Sequence, residues 1–249
     1  MSVHRAAIDK IRNHIAGQGI GITRDSAIAD EIVKCIYAKK TFTSESNHSN
    51  SVDLAVSYRR GFSEIKTKFP SIFDTNAEIL LDPAAIKFID EQLTDVDIYD
   101  KNVDVIGDVY QLLTGDSLKG NEGQFFTPAS ATTMLLEMAN PEPGSVILDP
   151  ACGSGGFLKS AALHLRSKGA SNEEIHKTLI GIEKDAVLNK LCSSRMSLLL
   201  DNEFTTTCGD SIAWEALDGH QFPNTNPDLV SADFIFTNPP FGKNIEAGT

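Results

Sequence analysis

The sequence predicts an α/β protein: a doubly wound sheet of parallel strands, preceded by a helical domain. Three observations carry this. From about residue 124 onward, short apolar runs alternate with longer amphipathic segments. Each of those runs ends in a turn bearing an acid, closely spaced glycines or an Asn-Pro step. The first hundred residues, by contrast, show apolar side chains at helical spacing only. Strands separated by helices imply parallel βαβ units, and hence a sheet with helices on both faces.

In the first half, Ile8, Ile11 and Ile15 predict one helix, and Ile28, Ile32 and Ile36 a second, opened by a capping Asp25-Ser26. The polar stretch 39–50 reads as a loop. Leu54, Tyr58, Phe62, Ile65 and Phe69 trace a third helix ending at Pro70. Asp82-Pro83 places an N-cap before a proline at the first helical position, opening a helix through Leu93. Ile106, Val109, Tyr110 and Leu113 make one more.

In the second half, 145–149 reads as the first strand and 157–168 as the helix after it. Ser171 and Glu174 form a capping box for the next turn. A second strand spans 178–183, a long helix 186–200, a third strand 204–208 and a fourth 233–237. The predicted strand order is third, second, first, fourth. That order leaves the fourth strand at an edge, where Phe234 and Phe236 would make an apolar surface prone to self-association.

Bulk properties narrow the classes. The chain has 249 residues, 41% hydrophobic and 22% charged, with a net charge of −12. A free-standing nucleic-acid binder usually carries a basic excess, so composition alone argues against DNA. No apolar run approaches the roughly 18 residues of a membrane helix, and the N-terminus lacks a signal-peptide core. The four cysteines are widely spaced without metal-ligand spacing, as expected for reduced thiols of a cytoplasmic protein that needs no metal.

The chemistry sits in the turns, since ligands of such sheets lie beyond the carboxyl ends of the strands. After the first strand comes Asp149-Pro-Ala-Cys-Gly-Ser-Gly-Gly-Phe157. Glycines at 153, 155 and 156 permit a tight turn and close approach of a ligand to the backbone. The spacing is neither that of a dinucleotide fingerprint nor that of a P-loop, and a purely structural turn stays open. Glu183, ending the second strand, suits the two hydroxyls of a ribose or the start of a helix. Asp210, in Cys208-Gly209-Asp210-Ser211, suits an adenine amino group or an N-cap. The fourth strand ends in Thr237-Asn238-Pro239-Pro240-Phe241-Gly242. Two prolines preset the backbone, so either the loop simply caps the strand or the Asn238 amide and a nearby carbonyl are held as acceptors beside the flat face of Phe241. The second arrangement fits an exocyclic amine on a planar base.

With these motifs in hand, the sequence resembles the N6-adenine DNA methyltransferases of the modification-subunit type, found in type I restriction-modification systems. The resemblance rests on five segments in order: GQFFTP (123–128), DPACGSGGFL, GIEKD, CGDS and NPPFG. It runs from about Val103 to the end and implies a helical domain at 1–102 and the first part of the catalytic domain at 103–249. It also implies S-adenosylmethionine as cofactor. Phe125 or Phe126 would enclose it and Thr127-Pro128 contact its methionine end. Asp149, Gly153 and Gly155 would form the loop beneath the methionine moiety, with Glu183 on the ribose and Asp210 on the adenine. Asn238, Pro239 and Phe241 would be catalytic. Family members often carry a basic residue after FFTP, where this chain has Ala129.

The resemblance further implies a seven-stranded sheet, of which this chain would hold an incomplete part. DNA, a specificity subunit and a restriction subunit are the implied partners, and later regions of the protein together with the specificity subunit would supply the missing positive charge. The 249 residues alone would then be inactive. Two other readings stand beside this one: a cofactor-binding assembly protein without catalysis, and a methyltransferase acting on protein glutamine, which uses a related Asn-Pro-Pro motif.

Overall fold

The computed structural model describes residues 3–17, 22, 24–41, 50–94, 96, 104–113, 127–212 and 231–240. The chain divides into two units, Met1–Ser117 and Leu118–Thr249.

The regular elements among the first unit's described residues are all helices: α1 (Val3–Gly17), α2 (Asp25–Lys39), α3 (Ser51–Lys68), α4 (Pro83–Leu93) and α5 (Val105–Leu113). Ile8, Ile11 and Ile15 of α1 are buried, as are Ile28, Ile32 and Ile36 of α2. Helix α2 packs against all four others, and its charged residues Glu31, Lys34 and Lys39 are buried with it. Each has a partner, as buried charges must. Lys34 pairs with Glu31 and Asp30 and donates to the Glu78 carbonyl, while Glu31 accepts the Leu80 N–H. Lys39 and the Tyr58 hydroxyl share one oxygen of Asp90. Asp82 caps α4 by accepting the Ala85 N–H at 2.8 Å, with Pro83 at the first position, as predicted. The predicted cap of α2 differs: Arg24 is the N-cap residue and makes no side-chain cap. Asp25 lies inside the first turn, where Arg12 of α1 holds both its oxygens. Helix α5 packs on α1 and α2 and falls in the helical unit, whereas the sequence predicts a division after residue 102.

The first described element of the second unit is α6 (Ala129–Ala139), a helix the sequence pattern conceals. Only Leu136 and Thr132 of it are buried, while Met134, Leu135 and Met138 are exposed, so no clean apolar stripe marks it. Then follow β1 (Ile147–Asp149), α7 (Gly156–Ser167), α8 (Asn172–Thr178), β2 (Leu179–Glu183), α9 (Ala186–Leu200), β3 (Thr207–Cys208) and β4 (Phe234–Ile235). The Ser171–Glu174 capping box that opens α8 is present in both its hydrogen bonds. The strands are parallel in the order β3-β2-β1-β4, as predicted. All five residues of β2 are buried, and a Cβ on Gly181 would meet Thr206 and Leu158 within 3 Å. Helix α7 packs Phe157, Leu158, Ala161 and Leu165 into a core shared with Ile147, Ile175, Leu179, Met196 and Phe204. Burying side chains of this size contributes about 1.5–3 kcal/mol each.

At the β4 edge the prediction needs correcting. Phe234 and Phe236 are partly buried and pack onto this core, with the Phe236 ring stacked on Phe157 at 5.9 Å. The residue between them points the other way, because side chains alternate along a strand, and Ile235 is 62% exposed.

Candidate active site at the carboxyl ends of the strands

Parallel pairing brings the four strand ends together. Asp149 is register partner to Gly181, and Glu183 to Cys208. The Phe236 N–H bonds the Leu148 carbonyl, so β4 runs on beside Asp149. The turns after these strands therefore adjoin.

The turn after β1 is pinned from several directions. The Cys152 N–H donates to the Ile182 carbonyl at 2.9 Å, and the Gly155 N–H closes a turn onto the Cys152 carbonyl at 2.7 Å. Arg195 of α9 donates to the Ser154 carbonyl at 2.7 Å. Gly153 and Gly155 have φ of +53° and +81°, the left-handed region that glycine enters without strain. A Cβ on Gly155 would lie 2.6 Å from the Cys192 sulfur, whereas one on Gly153 would meet nothing within 4 Å. Gly155 is thus required by packing, while Gly153 leaves its side of the turn open.

Two carboxylates sit beneath this turn. Asp149 is 2% exposed and accepts the Ala151 N–H at 3.2 Å. Burial pushes its carboxyl up to about 7, against hydrogen bonds from Ala151 and the Thr237 side chain, and the charge of Glu183 adds to the push. Glu183 is buried too, which also raises its pKa. Its two oxygens accept the Gly153 N–H and the Asp185 N–H, both at 2.8 Å. A carboxylate has about four acceptor positions, so capacity remains beyond these two bonds. Cys152 and Cys192 are both buried, and the hydrogen bond between them together with burial drives the Cys152 thiol up, away from thiolate reactivity.

The other two strand ends are more open. Asp210 pairs with Lys184 at 2.7 Å and accepts the Ile212 N–H at 3.0 Å. Asn238 is half-buried, and its amide nitrogen donates to the Thr127 hydroxyl at 3.1 Å. Pro239 and Pro240 are exposed, as is Pro128. Phe125, Phe126 and Phe241 lie outside the described residues. The structure thus brings Asp149, Gly153, Gly155 and Glu183 into one contact network, sets Asp210 on the neighbouring strand, and joins Asn238 to Thr127. The sequence did not mark Cys192, Arg195, Lys184 or Thr237. Thr237 stands inside a marked motif, and Cys192 falls on the buried face of α9 with Leu188, Leu191 and Met196. Nothing in the local pattern points to Arg195. Among the described residues no group of three or more His, Cys, Asp or Glu could hold a metal ion, and no helix is long and apolar enough to cross a membrane.

The parallel sheet with its glycine turn and buried carboxylates at the carboxyl edge is of the doubly wound class, in which ligands lie beyond that edge. The family model described as N-6 DNA Methylase matches residues 101–248, and the chain belongs to that family. Among curated proteins it is 35% identical over 154 residues to the type I restriction enzyme EcoEI methylase subunit of Escherichia coli, covering 58% of this chain and 29% of that one. To the EcoKI methylase subunit of Escherichia coli strain K12 it is 27% identical over 195 residues, covering 72% and 36%. The chain therefore spans about a third of the length of these relatives. Among solved structures, a modification subunit assigned to a type I restriction enzyme of Vibrio vulnificus YJ016 superposes with a TM-score of 0.57 at 18% identity, over 97% of this chain and 61% of that one. The methyltransferase subunit of a type I restriction-modification system from Streptococcus thermophilus gives 0.52 at 15% identity, over 96% and 63%. The two structures share the fold with this chain, whose described residues contribute four parallel strands to it.

Proposed function

We propose that this chain is the cofactor-binding and base-holding part of an adenine-N6 DNA methyltransferase of the modification-subunit type. The observation that carries the reading is the junction at the end of β4. Thr237 hydrogen-bonds Asp149, and the next residue, Asn238, bonds Thr127, so the Asn-Pro-Pro turn abuts the glycine turn.

The residues present suit S-adenosylmethionine. Its ribose offers two hydroxyl donors, and Glu183 has acceptor capacity to spare. Its sulfonium and ammonium are cationic, and two buried carboxylates lacking a full counter-charge are stabilised by a cation. Gly153 offers an open, side-chain-free approach, Asp210 an acceptor for the adenine amine, and Thr127-Pro128, with Phe125 or Phe126, the remaining wall. When bound, S-adenosylmethionine supplies a methyl group on a sulfonium, an electrophile that needs no covalent enzyme intermediate.

The Asn238 nitrogen donates to Thr127, which orients the amide; its oxygen would accept one hydrogen of the target amine and the Pro239 carbonyl the other. Two such bonds favour a pyramidal nitrogen with an exposed lone pair. In duplex DNA the base must first leave the stack, at a cost of a few kcal/mol. Stacking on Phe241 would return roughly 1–3 kcal/mol of this. DNA, a specificity subunit and a restriction subunit are the proposed partners of a longer protein, and the cytoplasm its compartment. Ile235, exposed on β4, supports self-association of the chain by itself, and a monodisperse monomer at high concentration by light scattering counts against that.

The test uses a chain of the relatives' length with its specificity subunit, assayed for methyl transfer to plasmid DNA and to protein. Transfer to adenine that is lost in Asn238→Ala supports the reading. Transfer to protein glutamine favours the alternative acceptor, and cofactor binding without any transfer favours a non-catalytic assembly protein.

A further inference from the structure

We propose that Lys184 is a positioning residue for the adenine subsite, its ammonium holding the Asp210 carboxylate in the orientation that accepts the cofactor's exocyclic amine. This rests on the cofactor reading above and deepens it.

The two strand ends assigned to ribose and adenine are neighbours. Glu183 and Cys208 are register partners, and the Gly209 N–H donates to the Glu183 carbonyl at 3.0 Å. Lys184 follows Glu183 directly, so one short turn presents an acceptor for the ribose and a cation for the next strand. That cation reaches Asp210 at 2.7 Å through Oδ2, while Oδ1 accepts the Ile212 N–H at 3.0 Å. With both oxygens engaged on fixed partners, the carboxylate plane is set. A carboxylate whose plane is set presents its acceptor directions in a fixed orientation, which is what recognition of one amine over a carbonyl at the same ring position requires.

The burial of the two partners says which one serves the other. The Asp210 side chain is 18% exposed and the Lys184 side chain 69%. An acid turned inward and tethered by an exposed lysine is a held group, not a surface pair that merely decorates the turn. An exposed ion pair is also screened by salt and modest in strength, so the effect on discrimination should be twofold to fivefold.

The experiment measures the affinity of the 249-residue chain, by calorimetry, for S-adenosylmethionine and for its inosine counterpart, whose ring carries a carbonyl where adenine has the amine. The ratio of the two affinities cancels the charge of the cofactor itself, which Lys184 substitution would otherwise confound. Wild type, Lys184→Met, Lys184→Arg and Asp210→Ala are compared at low salt and at about 0.5 M, where screening lengths fall to a few ångströms. Lys184→Met should lower the preference for the adenine form twofold to fivefold and abolish the salt dependence of that preference, and Lys184→Arg should restore both. A Lys184→Met chain that keeps the wild-type ratio and its salt dependence, beside an Asp210→Ala chain that loses the ratio, overturns the role of Lys184 alone. An Asp210→Ala chain with the wild-type ratio, or a wild-type chain that binds neither compound, overturns the assignment of the subsite and the inference with it.

Discussion

The ends of β1 and β2 differ from the ends of β3 and β4 in what sets their geometry. At the first two, backbone atoms do the setting: Gly153, Ala151 and Asp185 give their N–H groups to carboxylates that are 2% and 8% exposed, and Gly155 is wedged on Cys192. At the other two, side chains meet side chains across more open ground, Lys184 with Asp210 and Thr127 with Asn238. A buried, backbone-set site is costly to disturb and carries an electrostatic penalty of its own. An open, side-chain-set site can be altered with little effect on the fold. Chemistry at the first pair should therefore be coupled to stability, and chemistry at the second pair separable from it.

The largest break in this pattern is expected at Gly155. A Cβ there would stand 2.6 Å from the Cys192 sulfur at a φ of +81°. Left-handed backbone costs a non-glycine residue about 1–2 kcal/mol, and overpacking about 1–3 more. Gly155→Ala should lower stability by about 2–5 kcal/mol in chemical denaturation. Gly153→Ala, with the same hand of φ but open space, should cost only the backbone share. Adding Cys192→Ala to Gly155→Ala should recover the packing share. Equal costs at both glycines would dissolve the contrast between a wedged and an open position.

Next in size is Glu183→Ala. It removes the acceptor of two backbone N–H groups as well as the proposed ribose contact. A lost hydrogen bond to a charged group costs about 1.5–3 kcal/mol, so cofactor affinity by calorimetry should fall by roughly that amount, and stability should fall with it. A variant that loses affinity at unchanged stability would show that the turn keeps its shape without Glu183.

Asp149 tests the electrostatic side. Its carboxyl titrates near 7 in the fold against 3.8 in an unperturbed chain, so the folded state binds a proton that the unfolded state has released. The stabilisation this gives is fully present below about pH 4 and is lost as pH rises to 7. Asp149→Asn stays neutral throughout and keeps an acceptor for the Ala151 N–H. Between pH 5.5 and 8 it should gain about 2 kcal/mol of stability relative to wild type, read from denaturation midpoints. A pH profile parallel to wild type would mean that Asp149 is ionised and paid for by other contacts.

This division also explains what the sequence revealed. Strand order and the identity of each turn were legible because parallel βαβ units leave few topologies, and because each motif follows an apolar run. The Ser171–Glu174 and Asp82-Pro83 helix starts were legible because capping is a local interaction. Helix α6 was not, since its exposed Met134, Leu135 and Met138 erase the periodicity on which the reading depends. The cap of α2 misled because Asp25 looks like a local cap, yet Arg12, on a different helix, claims both its oxygens. In the site, the glycines and acids themselves were visible in the sequence, while Cys192 and Arg195 act on the glycine turn from a helix some forty residues away. Such contacts are made by tertiary packing, and no spacing rule announces them.

The smallest effect on the fold and on cofactor affinity is expected at Asn238, although its effect on catalysis should be complete. Its amide bonds the Thr127 hydroxyl on half-exposed ground, so losing one neutral hydrogen bond should cost about 0.5–1.5 kcal/mol of stability at most. The residues proposed for the cofactor lie at the ends of β1, β2 and β3 and on the segment ending at Pro128, and of these Thr127 bonds Asn238. Asn238→Ala should therefore bind S-adenosylmethionine within about twofold of wild type. In the full-length assembly it should transfer no methyl group, because the amine loses one of its two acceptors. Asn238→Asp separates acceptor from donor: it keeps an oxygen for the amine, and its second oxygen can accept from the Thr127 hydroxyl, so some transfer should survive. If Asn238→Ala instead loses cofactor affinity as Glu183→Ala does, the end of β4 belongs to the backbone-set part of the site, and the separation of binding from chemistry fails at its decisive residue.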